Sequence, residues 1–185
     1  MNYDLTLNLI LEEINVAAHQ INGESINRFI DDILNADKIF VTGVGRVMLS
    51  LQAFVKRLNH LGITAYCVGD ITEPAITEKD LLIVGSGSGC SILPVAIAEK
   101  AKEYNAKVIH IGSNPHGSMA EIADYMVRIP VRTRLYLEDE TDSGQPMTSL
   151  FEQSLLVFCD TIAMMIIEKK KLNMDELWMY HANLE

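Results

Sequence analysis

Basic residues are in short supply. Lys and Arg number 15 against 25 Asp and Glu, so the 185-residue chain carries a formal net charge of 15 − 25 = −10. A general electrostatic grip on DNA or RNA needs a basic face to neutralise phosphates, and an anionic membrane surface asks for the same, so the balance argues against both. Cysteines are few, odd in number and widely spaced, at Cys67, Cys90 and Cys159. No CxxC pair occurs, which leaves neither a zinc knot nor a disulfide scaffold. Long apolar runs are missing too. The most apolar stretch, Leu155 to Ile167, is broken by Asp160 and falls short of the ~18 residues that a membrane span needs. The opening Met1-Asn2-Tyr3-Asp4 has no basic region leading into an apolar run, so no secretory signal is read there. A soluble protein of the reducing cytoplasm is the expectation, without nucleic acid or membrane as partner. Internal repeats, low-complexity tracts and domain linkers are absent as well. An apolar content of 49 % is enough to bury one ordinary core. The reading is a single domain, with residues 1–35 a helical extension, 36–168 the core and 169–185 a tail.

Two amphipathic helices come first. Leu7, Ile10, Ile14, Ala17 and Ile21 repeat at helical spacing, and Ile26, Phe29, Ile30, Ile33 and Leu34 do so again. The pattern then switches to short, apolar, β-branched runs alternating with helices. Strands are expected at 38–41, 64–68, 81–84, 107–111 and, more weakly, 125–129. Helices are expected at 46–60, 91–104, 118–123 and about 147–168. Near-continuous apolar strands are buried on both faces, as in a parallel sheet between helix layers. The fold class is therefore α/β, a three-layer αβα sandwich whose five-stranded sheet has the order 2-1-3-4-5. The last helix is apolar nearly all round, with Leu155, Leu156, Val157, Met164 and Ile167 off its main stripe. Such a helix must be covered on every side, which predicts a homo-oligomer. The polar segment 132–146 reads as one long loop, the place for mobility or a lid.

The first strand ends in Thr42-Gly43-Val44-Gly45-Arg46, and the third in Gly85-Ser86-Gly87-Ser88-Gly89-Cys90-Ser91. In a 2-1-3-4-5 sheet these strands are neighbours, and ligands sit at that switch point beyond their carboxyl ends. Glycines let backbone N–H groups approach an anion, hydroxyls add donors, and a helix N-terminus adds about half a positive charge. Gly43 and Gly45 alone would suit a tight turn. Ser86, Ser88 and Ser91 interleaved with Gly87 and Gly89 exceed what a turn requires and point to an anion site. The rival readings lack parts. A triphosphate-binding loop needs Gly-Lys-Ser/Thr, which does not occur. A dinucleotide fingerprint needs a third glycine where Met48 stands, although Asp70 follows the second strand as a ribose-binding acid would.

The serine loop, with Ser86-x-Ser88-Gly89-x-Ser91, resembles the signature of the sugar isomerase (SIS) domain family. Arg57-Leu58-Asn59-His60-Leu61-Gly62, the segment Gly69 to Ile76, Phe151-Glu152-Gln153 and the closing His181 to Glu185 are similar to its 6-phospho-3-hexuloisomerase branch. That resemblance spans essentially the whole chain. It implies interconversion of 3-hexulose 6-phosphate and fructose 6-phosphate, the second step of formaldehyde fixation by the ribulose monophosphate route. It also implies a homotetramer, with no metal and no organic cofactor. Two positions depart from the pattern: Val47 stands where the family usually has Ser, and Cys90 where Thr or Ser variants occur. A non-catalytic sugar-phosphate sensor and an arabinose 5-phosphate isomerase are the alternatives.

Moving a ketone from C3 to C2 needs a base, an oxyanion donor and a phosphate clamp. Glu152, between Phe151 and Leu155, reads either as a carboxylate complementing a helix N-terminus or as the base, and the resemblance favours the base. His60 points away from the apolar stripe Val47, Leu51, Phe54 and Leu58, so it is either a solvated residue or, in an oligomer, a ring-opening or proton-shuttling group in a neighbour's crevice. Arg46 opens a helix where the dipole disfavours a cation, which suggests a ligand-holding role with Gly43, Gly45, Ser86, Gly87, Ser88, Gly89 and Ser91. His110 reads as a core residue, His116 as a turn residue, His19 as solvated, Cys90 as a bystander, and Lys169–Lys171 as a helix-end cluster.

Overall fold

The computed structural model describes residues 2–184; Met1 and Glu185, the last residue of the closing motif, lie outside the described residues. Five helices, α1 (Tyr3–Ala18), α2 (Gly23–Asn35), α3 (Arg46–His60), α4 (Ile92–Glu103) and α5 (Ser149–Lys170), surround five strands, β1 (Ile39–Thr42), β2 (Ala65–Cys67), β3 (Leu81–Gly85), β4 (Lys107–Gly112) and β5 (Tyr125–Arg128). The strands form one parallel sheet in the order β2-β1-β3-β4-β5, as the strand spacing predicts. Thr42 pairs with Val84 at the carboxyl end of the central pair. β1 and β3 are buried along their whole length, which is why their sequences do not alternate.

One face of the sheet carries α1, α2, α3 and α5 over a large apolar cluster, and the other carries α4 over a smaller one. On the thicker side α5 packs against α3, α1 and α2. Phe29 lies between Phe54 and Phe158, with ring centroids 6.4 and 5.8 Å away. By length and composition α5 is apolar enough to cross a membrane, longer than the run Leu155–Ile167 suggests; 56 % of that window is buried inside the fold. Leu156, Val157 and Met164 remain exposed on it.

Two helix expectations need correction. The segment 118–123 is a single 3-10 turn, Ser118–Glu121, because the Met119 N–H is drawn to Gly89 O at 2.9 Å and its side chain is fully buried. The first helix stops at Ala18, before Ile21. The segment 132–146 is a loop, as its polar sequence predicts, and hydrogen bonds fasten it at both ends. The Glu140 carboxylate accepts from Ser113, Thr133 and Leu137, and Glu13 on α1 accepts from Ser143, Gly144 and Gln145 at 2.7–2.9 Å. Burial alone would raise the Glu13 pKa, but these donors and Arg132 hold it below the usual value.

A further 3-10 turn, Glu176–Tyr180, packs on α3. There the Tyr180 ring approaches Gly62, and His181 stacks on His60 with centroids 5.2 Å apart.

Phe29 is fully buried at the junction of α2, α3 and α5. Phe29→Ala should cost about 3–5 kcal/mol, read as a lowered urea midpoint at unchanged m value.

Candidate active site

Because β1 and β3 are adjacent and parallel, their two glycine-rich turns leave the same edge and wall one crevice of about 540 Å³. Gly45 has φ +58° and ψ −136°, a conformation that a side chain would strain. The chain thereby reverses into α3 and brings Arg46 to the crevice mouth. Gly89, at φ +66°, turns back beneath the loop against the His110 ring.

The serine loop is held from below by β4 and the turn that follows it. His110 Nε2–H donates to Ser86 O at 2.8 Å, Asn114 Nδ2 donates to Ser88 O at 2.9 Å, and the N–H groups of Ser113 and Asn114 both reach Gly87 O at 3.0 Å. With its carbonyls taken downwards, the loop turns other groups outwards. Ser86 Oγ accepts from Gly89 N and Ser88 Oγ from Cys90 N, so the Ser88 O–H stays available to donate. Ser86 and Ser91 hydroxyls lie 3.2 Å apart and share one donor between them. Ser91 is the N-cap of α4, yet its side chain makes no cap bond. The first N–H groups of α4 are thus unprotected by a side chain, which suits an anion.

Opposite the loop, Glu152 stands in the first turn of α5. Its carboxylate is paired with Arg46 Nε and accepts from Thr148 Oγ1 at 3.1 Å. Its backbone carbonyl accepts from Ser50 Oγ at 2.9 Å, which ties α5 to α3. Only 11 % of the Glu152 side chain is exposed, against 62 % for Arg46. The carboxylate is therefore fixed, and the guanidinium has room to reach a ligand. This pairing also explains a cation at a helix N-terminus, since its partner outweighs the dipole.

Of the residues that the sequence points to, Gly45, Arg46, Ser86, Gly87, Ser88, Ser91 and Glu152 line this crevice together. Gly43 and Gly89 do not line it: Gly43 lies against Val47 and Leu51 of α3, and Gly89 against His110 and Gly117. His60 is not brought there. It lines a separate cavity of about 580 Å³ with Arg57, Asp160, Trp178 and His181, half-buried under the tail rather than on a solvated face. Three polar crevice residues escape sequence reasoning: Thr133, Arg134 and Thr148. Thr148, four residues before Glu152, carries the one local signal, a helical i, i+4 spacing. Cys90 also lines the crevice, whereas burial pushes Cys67 up to about 11 and Cys159 well above the ordinary thiol range. Among the described residues no group of three or more His, Cys, Asp or Glu gathers as a metal site.

A doubly wound sheet with a hydroxyl-rich crevice at its switch point defines a small-ligand-binding α/β protein. The chain belongs to the SIS domain family, whose sequence pattern matches residues 32–159. It is 38 % identical to 3-hexulose-6-phosphate isomerase of Bacillus subtilis over 176 residues, covering 95 % of each chain. To the Mycobacterium gastri protein of the same name it is 35 % identical, over 97 % of this chain and 89 % of that one. A Methanococcus jannaschii crystal structure, from which a molecular function of 3-hexulose-6-phosphate isomerase was inferred, superposes with a TM-score of 0.83 at 33 % identity, over 97 % of this chain and 99 % of that one.

Burial holds the His110 pKa below its ordinary value. The unfolded chain then takes up a proton near the usual ~6.5 and the folded chain does not. Stability should be complete above about pH 6.5 and fall as the pH drops below it. In His110→Gln, denaturant midpoints from pH 7 to 5 should fall less than in wild type.

Proposed function

We propose that the protein is a sugar-phosphate isomerase that interconverts D-arabino-hex-3-ulose 6-phosphate and D-fructose 6-phosphate through an enediol. The observation that carries this reading is the crevice, where a paired carboxylate faces a serine-and-glycine loop across about 540 Å³. Relatives named for that activity match over most of their length.

In this reading the phosphate sits on the outward groups of the serine loop and the N-terminus of α4, and the carbon chain extends towards Glu152. The Glu152 carboxylate takes the proton from C2, the C–H electron pair forms the C2=C3 double bond, and the C3 oxygen takes a proton from solvent. The enediol then collapses: the C2 oxygen returns a proton to solvent, the C2 carbonyl forms, and C3 receives a proton from the Glu152 carboxyl. Arg46 stays beside both partners, able to donate to the developing oxyanion, while the Thr148 hydroxyl keeps the carboxylate oriented. No step of this route calls for a metal or an organic cofactor.

The active form in this reading is a homotetramer. Its support is the exposed apolar surface: Leu156, Val157 and Met164 on α5, and Leu5, Leu11 and Val16 on α1. Arg46 and Glu152 also border a second groove with Leu49, Ala53 and Leu156, so a partner on α5 would lie beside the pair. His60, remote from its own crevice, would serve a neighbour's, opening the furanose ring. The cellular setting that fits is the cytoplasm, in the ribulose monophosphate pathway of formaldehyde fixation.

A coupled assay tests this. With ribulose 5-phosphate, formaldehyde and a hexulose phosphate synthase supplied, fructose 6-phosphate should form well above background. Glu152→Gln should keep the fold and lose at least ~10²-fold in turnover; absent product from the wild type, or near-normal turnover in the variant, contradicts the reading.

A further inference from the structure

We propose that Arg134 is the cation that takes the phosphate of the bound sugar phosphate, with Glu140 as the positioning residue that folds its loop against the crevice. The proposal rests on the reading of the serine loop as the phosphate seat, and it names a charge that this seat otherwise lacks.

The chain has six arginines. Arg46, Arg57, Arg128 and Arg132 are ion-paired, and Arg28 lies over the Tyr125 ring. Arg134 makes no hydrogen bond, ion pair or ring contact among the described residues, although it lines the crevice. Arg46 is the crevice's other cation, and its charge is matched by Glu152. A sugar phosphate carries about −1.5 to −2 charges at pH 7. It therefore enters a crevice with one uncommitted positive group, in a molecule whose net charge of −10 repels it.

The placement of Arg134 follows from Glu140. One carboxylate oxygen of Glu140 accepts from Thr133 Oγ1 at 2.9 Å and Ser113 Oγ at 3.0 Å, and the other from the N–H groups of Thr133 and Leu137 at 3.0 and 3.1 Å. The loop from 133 to 137 thus curls around one carboxylate. The Thr133 methyl is set against Gly87 of the serine loop, 3.5 Å from where a Cβ there would lie, so the next residue, Arg134, opens onto the same crevice.

Binding of inorganic phosphate by calorimetry, together with kinetics on fructose 6-phosphate, tests this. Arg134→Ala should weaken phosphate binding about tenfold, as for a hydrogen bond to a charged group. Its loss should fall on KM more than on kcat, Arg134→Lys should restore part of it, and Glu140→Gln should move KM in the same direction. Equal phosphate affinity and KM in wild type and Arg134→Ala overturn the proposal and leave the isomerase reading standing. A wild type that binds phosphate through Arg134 but forms no product sinks the isomerase reading and supports this one. A wild type without affinity for phosphate or fructose 6-phosphate overturns both.

Discussion

Because Phe40 pairs with Leu82 and Thr42 with Val84, β1 and β3 lie side by side and run in the same direction, so the turns that follow them must leave the sheet at one edge. The site depends on this constraint. It sets the positive end of α4 and the first turn of α3 on either side of one opening, and it leaves the serine loop only one direction in which to face. The rest of the fold holds that arrangement still. His110 and Asn114 fix the loop carbonyls from β4, and α5, wedged on α3 through the Phe29, Phe54 and Phe158 rings, carries Glu152 to the far wall. Packing on the thick side of the sheet and polar geometry at its edge are two parts of one design.

Charge follows the same logic at a different scale. An overall −10 rules against broad contact with polyanions, because such contact sums over a surface. It does not rule against one phosphate, since neutral donors within hydrogen-bond distance outweigh a field that salt screens within about 10 Å. The crevice supplies hydroxyls, N–H groups and two arginines in a small volume, whereas Asp31, Asp139, Asp142 and Asp160 lie outside it in exposed ion pairs.

The sheet and its two loops were legible because their signals are local. β-branched runs such as Leu81 to Val84 announce a strand buried on both faces, and Ser86 to Ser91 carry more hydroxyls than a turn needs. The partner of Arg46 was not legible, since Glu152 lies 106 residues away; the dipole argument asked for a reason for the cation and pointed to a ligand rather than to this carboxylate. The grip of Glu140 on Thr133 was hidden for a related reason: in a loop without periodicity, four donors converge on a carboxylate through a fold that composition does not encode. The seating of His181 over His60 arises from a short 3-10 turn whose few residues give no repeating pattern, so a residue that helical geometry sends to solvent is half-covered instead.

A crystal structure with fructose 6-phosphate bound tests the central claim most directly, because it reads the position of every group at once. The account predicts the phosphate about 3 Å from the Ser88 hydroxyl and the N–H groups that open α4, with C2 and C3 beside the Glu152 carboxylate. A sugar phosphate seated instead in the cavity lined by His60, Arg57 and Trp178, with the serine loop empty, would contradict it.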